Sequence, residues 1–527
     1  MEPAQLLINE WLMILFFVLG LIFWGYAFRK QSSVSIESSF LADRKVPGFI
    51  ASLSTVATNM NANDFFGMTG AVYGVGLVMI HSPLTNSVVL IVIALLLMRR
   101  VRAYNVYSLG QWLAIRYHPV IGHLYSLIWA FIWMLFNLGL YIYAGALILH
   151  TLVGWNLYIS IVLFTLIAAT YTLLGGFRAV VATDVIQLVL MFFPFLFLAA
   201  LVWQDTGGPI QLIQSLPPEK VNLWHSQTPF GPLVIALLGM LFMSMSYFST
   251  EAQMVQRPLA ARNPEAAAIS YIGAGFWFTV LVPFVVFMPA LAAIKLFPGL
   301  PNNDFAVPML IKSFIPPGLY GITIVGLLAG TFSSCDSQIN AFCAIFTADI
   351  YKKLIRKHAP ESHYVRVSRL AGVVFTFAAI GTAVLFTFAK SGMFLFAIGI
   401  VATIMPPFGA VALLGVLWAR TSYPGALAGL LVGFITAITL FVADLFGTFR
   451  DYASDSLYFR TVVTFVLTML VTAGGSLFVP AKEKSEPALV SPGNPHDSTR
   501  LFRLSALLLT AVVILYLSLT WMVWQAK

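Results

Sequence analysis

ASLSTVATNMNANDFFGMTG, residues 51–70, is long enough to cross a membrane, yet it carries Ser52, Ser54, Thr55, Thr58, Asn59, Asn61, Asn63 and Asp64. Asparagine is a poor helix former whose side chain competes for backbone hydrogen bonds, and three of them stand here at alternate positions. The spacing predicts a break near 57–63, which would leave carbonyl oxygens free to hold a cation. Mid-membrane breaks of this kind are the device by which transporters build ion and solute sites. The other reading is an unbroken helix whose Ser, Thr and Asn side chains bond to neighbouring helices.

The composition around this stretch identifies the solvent. Of 527 residues, 60% are hydrophobic and 9% are charged, against about 25% charged in a soluble domain. A chain this apolar has too little polar surface to face water, so it is an all-α integral membrane protein. Apolar runs of roughly 20 residues mark about fourteen transmembrane helices. They cover 9–28, 47–66, 72–98, 118–150, 155–175, 180–203, 231–253, 266–294, 317–347, 366–389, 392–418, 424–446, 459–479 and 501–524. The first run lacks a basic leader, so it is expected to be a retained helix and not a cleaved signal peptide. Cys335 and Cys343 lie eight residues apart on one helix, roughly 12 Å at helical rise and too far for a disulfide.

The net charge of +9 follows topology and does not indicate a nucleic-acid partner. Twenty-two of the 29 basic residues fall on one side of the alternating spans, in loops such as Arg99–Arg102 and Lys352–Lys357. The positive-inside rule makes that side cytoplasmic and places both termini outside, in a plasma membrane or bacterial inner membrane. The Pro- and Ser-rich stretch 480–500 reads as a cytoplasmic linker.

Ionisable groups inside a bilayer are expensive and mark pathways. In the ninth helix Gly330, Ser333, Asp336, Ser337 and Asn340 share one face, with Ser334 at its edge. Hydroxyls plus a carboxylate suit a small hard cation and not a transition metal. Close packing of small residues is the alternative, but it gives no reason to bury Asp336. Asp184, just inside the sixth helix, either pairs with Arg178 or receives a cation leaving the site. His81, in the third helix, is either hydrogen-bonded structure or part of a site.

The chain resembles the sodium/solute symporter family, and within it the sodium/glucose cotransporter-like branch, over roughly 38–420. The resemblance is carried by Phe40-Leu41-Ala42 before Pro47, Ala51-Ser52-Leu53 leading to Asn59, and Gly67-Met68-Thr69-Gly70. It continues through Gly175-Gly176 to Thr183-Asp184, Gln256-Arg257, and Ser333-Ser334 through Asn340 to Phe346-Thr347-Ala348-Asp349-Ile350-Tyr351. It implies a LeuT-like core of two inverted five-helix repeats, 47–203 and 231–418. A peripheral helix at 1–28 precedes the core, and three helices at 424–527 follow it.

The resemblance also implies a sodium site built from the carbonyls of Ala57, Met60 and Gly330 and the hydroxyls of Ser333 and Ser334. Relatives that move two sodium ions share an acid at Asp184 but carry a hydroxyl at Asp336. The carboxylate suggests a second cation site, or a proton-sensitive one, formed by Asp184, Ser333, Asp336 and Ser337. Sugar-transporting relatives place a Glu, a Lys and a Gln where this chain has His81 to Pro83, Thr279 or Val280, and Ile398 or Gly399. The implied solute site therefore comprises Asn59, Asn63, Asp64, His81, Ser82, Ser244, Tyr247 and Phe248.

The expected function is sodium-coupled import of a small polar solute, a sugar or polyol, by alternating access. Sodium is the coupling ion, no other cofactor is expected, and a monomer in lipid suffices. Coupling of a carboxylate or amino acid to sodium or protons is the alternative. Absence of a nucleophile, metal cluster or paired acids argues against an enzyme. A transporter-like sensor or channel is the rival of another class.

Overall fold

The computed structural model describes residues 6–62, 64–224, 227–228, 231–388, 393–446, 457–479 and 495–525. Nearly everything described is helical, with one hairpin pairing Gln227–Thr228 and Gly231–Pro232. Among the described residues, eleven helices are long and apolar enough to cross a membrane. They are α1 (Ile8–Phe28), α4 (Leu77–Ala103), α5 (Pro119–Val153), α6 (Leu157–Thr206), α7 (Leu233–Thr250), α9 (Pro264–Leu296), α11 (Glu361–Phe386), α12 (Met393–Leu417), α13 (Tyr423–Leu445), α14 (Leu457–Phe478) and α15 (Pro495–Gln525). Four further helices matter to the site: α2 (Gly48–Asn59), α3 (Thr69–Val75), α8 (Ala252–Ala260) and α10 (Tyr320–Ile345).

The asparagine-rich stretch breaks where its sequence predicts. α2 ends at Asn59, Met60 is extended (φ −95°, ψ 119°), and the chain re-enters a wide helical turn at Asp64–Met68 before α3. A second break was not anticipated. The seventh helix was expected to run to 253, but it stops at Thr250, Glu251 is extended (φ −64°, ψ 116°), and α8 begins at Ala252.

α6 is 50 residues long, about 75 Å at helical rise and more than twice the ~30 Å hydrocarbon core. Gly176 (φ +62°, ψ −172°) interrupts it between the expected fifth and sixth spans. A Cβ there would lie 2.7 Å from Ser32 Cβ and 3.1 Å from the Ser39 carbonyl, so the close approach also requires glycine.

α10 runs through the centre, buried on all sides from Thr323 onward. It packs along α6 and α5 and touches α2. Large apolar side chains such as Phe16, Phe193 and Leu470 are 81%, 61% and 64% exposed, which only a lipid solvent tolerates. Linker residues 480–494 lie outside the described residues.

Candidate functional site

α10 meets the end of α2 at close range. Ser334 Oγ donates to the Thr58 carbonyl at 2.8 Å and lies 3.3 Å from the Gly330 carbonyl. A Cβ on Gly330 would stand 3.0 Å from the Met60 carbonyl oxygen and 3.4 Å from Asn61 Cα, so only glycine admits the broken end. Ala57, Met60, Gly330, Ser333 and Ser334, the five sequence-derived sodium residues, are all buried. Their junction therefore offers hard oxygen atoms, carbonyl and hydroxyl, in a desolvated place.

One turn further along α10 lies an acid cluster. Asp184 accepts from Ser333 Oγ at 2.5 Å and from Ser54 Oγ. Asp336 accepts from Tyr171 OH at 2.9 Å and from Ser337 Oγ at 3.1 Å. The four residues of the expected second cation site are thus brought together, but two of them, Asp184 and Ser337, share a partner missed in the sequence. Arg257 of α8 reaches in with both its own side chain and its partner Asp184 wholly buried. Its Nη2 lies 3.1 Å from Asp184 Oδ2 and also donates to Thr58 Oγ1 and Ser337 Oγ, while Nε donates to Ser54 Oγ at 3.2 Å. Asp184 therefore pairs with Arg257 and not with Arg178, which pairs at 2.7 Å with Asp43. Gln256-Arg257 was visible as a motif, but no spacing rule places a residue beyond the seventh helix against the sixth.

Beside the broken end is a cavity of about 170 Å³. Its walls come from the α2 break, α4, α5, α7, α9 and α12. Of the residues expected at a solute site, Asn59, Asp64, Ser82, Ser244, Tyr247 and Phe248 line this cavity, and Asn63 lies outside the described residues. His81 is not on the wall, which corrects its assignment to the solute site. Ser82 and Asn86, one helical turn apart, face the cavity, and His81 points elsewhere on α4. His81 Nε2 lies 3.0 Å from the Leu223 carbonyl, and its ring packs against Trp224 and Tyr516.

Several lining residues were missed: Asn86, and Trp133, Asn137 and Tyr141 on α5. The last three recur at i, i+4 and i+8, a stripe that a helical-face count would have found. Ser244 Oγ donates to Asn86 Oδ1 at 2.5 Å, and Asn137 Nδ2 donates to Tyr141 OH at 3.1 Å. Glu251, at the second break, accepts from the Trp133 indole behind the wall.

On the basic side, backbone and arginine contacts tie the connecting segments together. Val46 pairs with Ala260 and Arg262 main chain at 3.2 and 3.0 Å. Arg44 bonds Glu37 at 2.7 Å and the carbonyls of Leu259, Asn105 and Val106 at 3.1, 2.7 and 3.0 Å. Its guanidinium also lies 5.4 Å from the Tyr107 ring centroid. Burial pushes the Tyr107 phenol up to about 12, so the ring beneath the arginine stays neutral.

A broken helix bonded to a central polar helix, beside a cavity lined by asparagines, hydroxyls and aromatic rings, is what an ion-coupled carrier needs. Residues 39–433 match the sodium:solute symporter family. The chain belongs to that family. As a sodium:solute symporter it is 26% identical to the sodium/glucose cotransporter of Vibrio parahaemolyticus, with 96% of each chain covered. It is also 26% identical to sodium/myo-inositol cotransporter 2 of Mus musculus, covering 92% of this chain and 78% of that one. Among solved structures, it shares its fold with a sodium-coupled sialic acid symporter (TM-score 0.78, 19% identity, 90% of this chain and 99% of that one). A transporter of the nucleobase-cation-symport-1 family shows the same fold more distantly (TM-score 0.56, 14% identity, 88% and 98% covered).

Proposed function

We propose that this symporter imports a sugar or polyol with sodium by alternating access, and that fourteen segments span the membrane. On this reading α6 crosses twice, and the α2–α3 pair and α10 each cross once. The repeats are 47–203 and 231–418, with the basic side cytoplasmic and both termini outside. A monomer in a plasma membrane or bacterial inner membrane is the transporting unit.

The observation that carries the reading is the double role of the α2 break. Its Thr58 carbonyl bonds α10, while Asn59, Met60 and Asn61 line the cavity. Sodium held by Ala57, Met60, Gly330, Ser333 and Ser334 would fix the end of α2 and so position the residues that meet the solute. That gives the ion the differential affinity between states that coupling requires. The membrane potential, worth about 2.3 kcal/mol per charge per 100 mV, then favours inward release. At the second site, an ion reaching Asp184, Ser333, Asp336 and Ser337 must displace the Arg257 guanidinium from Ser337 and Asp184.

A melting-temperature screen of the purified protein against sugars and polyols, in sodium and again in potassium, tests this. A ligand at 100 times its dissociation constant adds about 2.7 kcal/mol. Stabilisation by a sugar or polyol in sodium alone is expected, and equal stabilisation in both salts would refute ion coupling.

A further inference from the structure

Asp64 brings a carboxyl group to the solute cavity, and a neutral sugar would offer it no countercharge. No lysine, arginine or histidine lines that cavity among the described residues. Asp64 Oδ2 accepts the Asn61 backbone N–H at 3.1 Å. A second carboxylate stands one ring behind the wall. Glu251 is wholly buried, one of its oxygens accepts from the Trp133 indole, and the other, Oε1, has no hydrogen-bond partner among the described residues. A carboxyl group removed from water is costly to ionise, hydroxyl donors offset that cost only in part, and an ammonium beside it favours the ionised form.

The rest of the wall fits a cation. Trp133, Tyr141, Tyr247, Phe248 and Phe278 line it, and aromatic rings attract a positive charge, Trp best. Met60, Met68, Met240 and Met243 add polarizable thioethers. The amides of Asn59, Asn86 and Asn137 remain for hydroxyls. We propose that the solute carries a protonated amine, as an amino sugar or amino polyol does, with its ammonium at Asp64 among the aromatic rings and its hydroxyls on the asparagines. This rests on the sugar-or-polyol reading above and narrows it.

The experiment compares glucose, glucosamine and N-acetylglucosamine, and inositol with an aminoinositol, by melting-shift titration of the full-length protein in sodium at about pH 6.5. At that pH an amine of ordinary basicity is protonated. The expected result is about tenfold or greater preference for the charged amine over both neutral counterparts. In Asp64→Asn that preference should shrink to about threefold or less. If the neutral members bind as tightly as the amines in the native protein, the inference is overturned, even should the variant fail to fold. If Asp64→Asn weakens sodium while leaving the amine preference intact, Asp64 serves the ion and the inference is again overturned. If no member of the series binds in sodium, the sugar-or-polyol reading itself falls.

Discussion

Arg257→Ala would leave Asp184 without its only cationic partner among the described residues, in a place where neither side chain reaches solvent. Breaking a buried pair by removing one member costs about 3–5 kcal/mol, because the surviving charge stays desolvated. The hydrogen bonds to Ser54, Thr58 and Ser337 and the 2.7 Å bond to the Gln253 carbonyl are lost as well. Asp184→Ala strands the guanidinium and should cost a similar amount. The double variant removes both charges together, so its cost should fall well short of the sum, with a coupling energy of about 2 kcal/mol or more. Arg257→Lys keeps the charge but not the planar fork and should fall between. Reversible denaturation in mixed micelles, run as a double-mutant cycle, measures these differences. Costs that add to within about 0.5 kcal/mol would refute the pairing.

Gly330→Ala should abolish sodium-dependent stabilisation, since its Cβ would crowd the Met60 carbonyl and lie 2.6 Å from Met191 Sδ. A sodium titration of the melting temperature checks it, and an unchanged midpoint would remove Gly330 from the ion site. Arg44→Ala releases three carbonyls on the basic side and should favour the state open to that side. Faster thiol labelling of a Val255→Cys reporter from that side would show this, against slow labelling with Arg44 intact. His81→Ala should leave solute affinity within about twofold in the same melting assay. It should cost about 1 kcal/mol of stability, through the lost carbonyl contact and ring packing.

What could be read in the sequence follows from which interactions are local. The α2 break was legible because asparagine competes with the helix at its own position. α10 was legible because its polar residues share a face of one helix. Arg257 was hidden because its partners come from α2, α6 and α10, and nothing in one segment reveals a pairing across four. The break at Glu251 was hidden too: Ser249, Thr250 and Glu251 read as a tolerable helix end, and the pattern resumes at once in α8. His81 was assigned from a resemblance that treats His81 to Pro83 as a group. A helix turns about 100° per residue, so the adjacent Ser82 faces the cavity and His81 does not.

The two breaks together explain how ion and solute can act on one another. Asn59, Met60 and Asn61 sit at the first break, and Tyr247 and Phe248 lie within a turn of the second. Arg257, on the helix leaving the second break, bonds Ser54 and Thr58 on the helix entering the first. Each break exposes backbone that a continuous helix would satisfy internally. A cation bridging α2 to α10, or a change in the Arg257 contacts, would therefore act on both broken helices at once. Part of the cavity wall is made from those helices, so ion binding and solute binding would act on the same elements. Separate rigid sites joined by an intervening wire would need a chain of residues between them, and here the shared breaks leave no such interval.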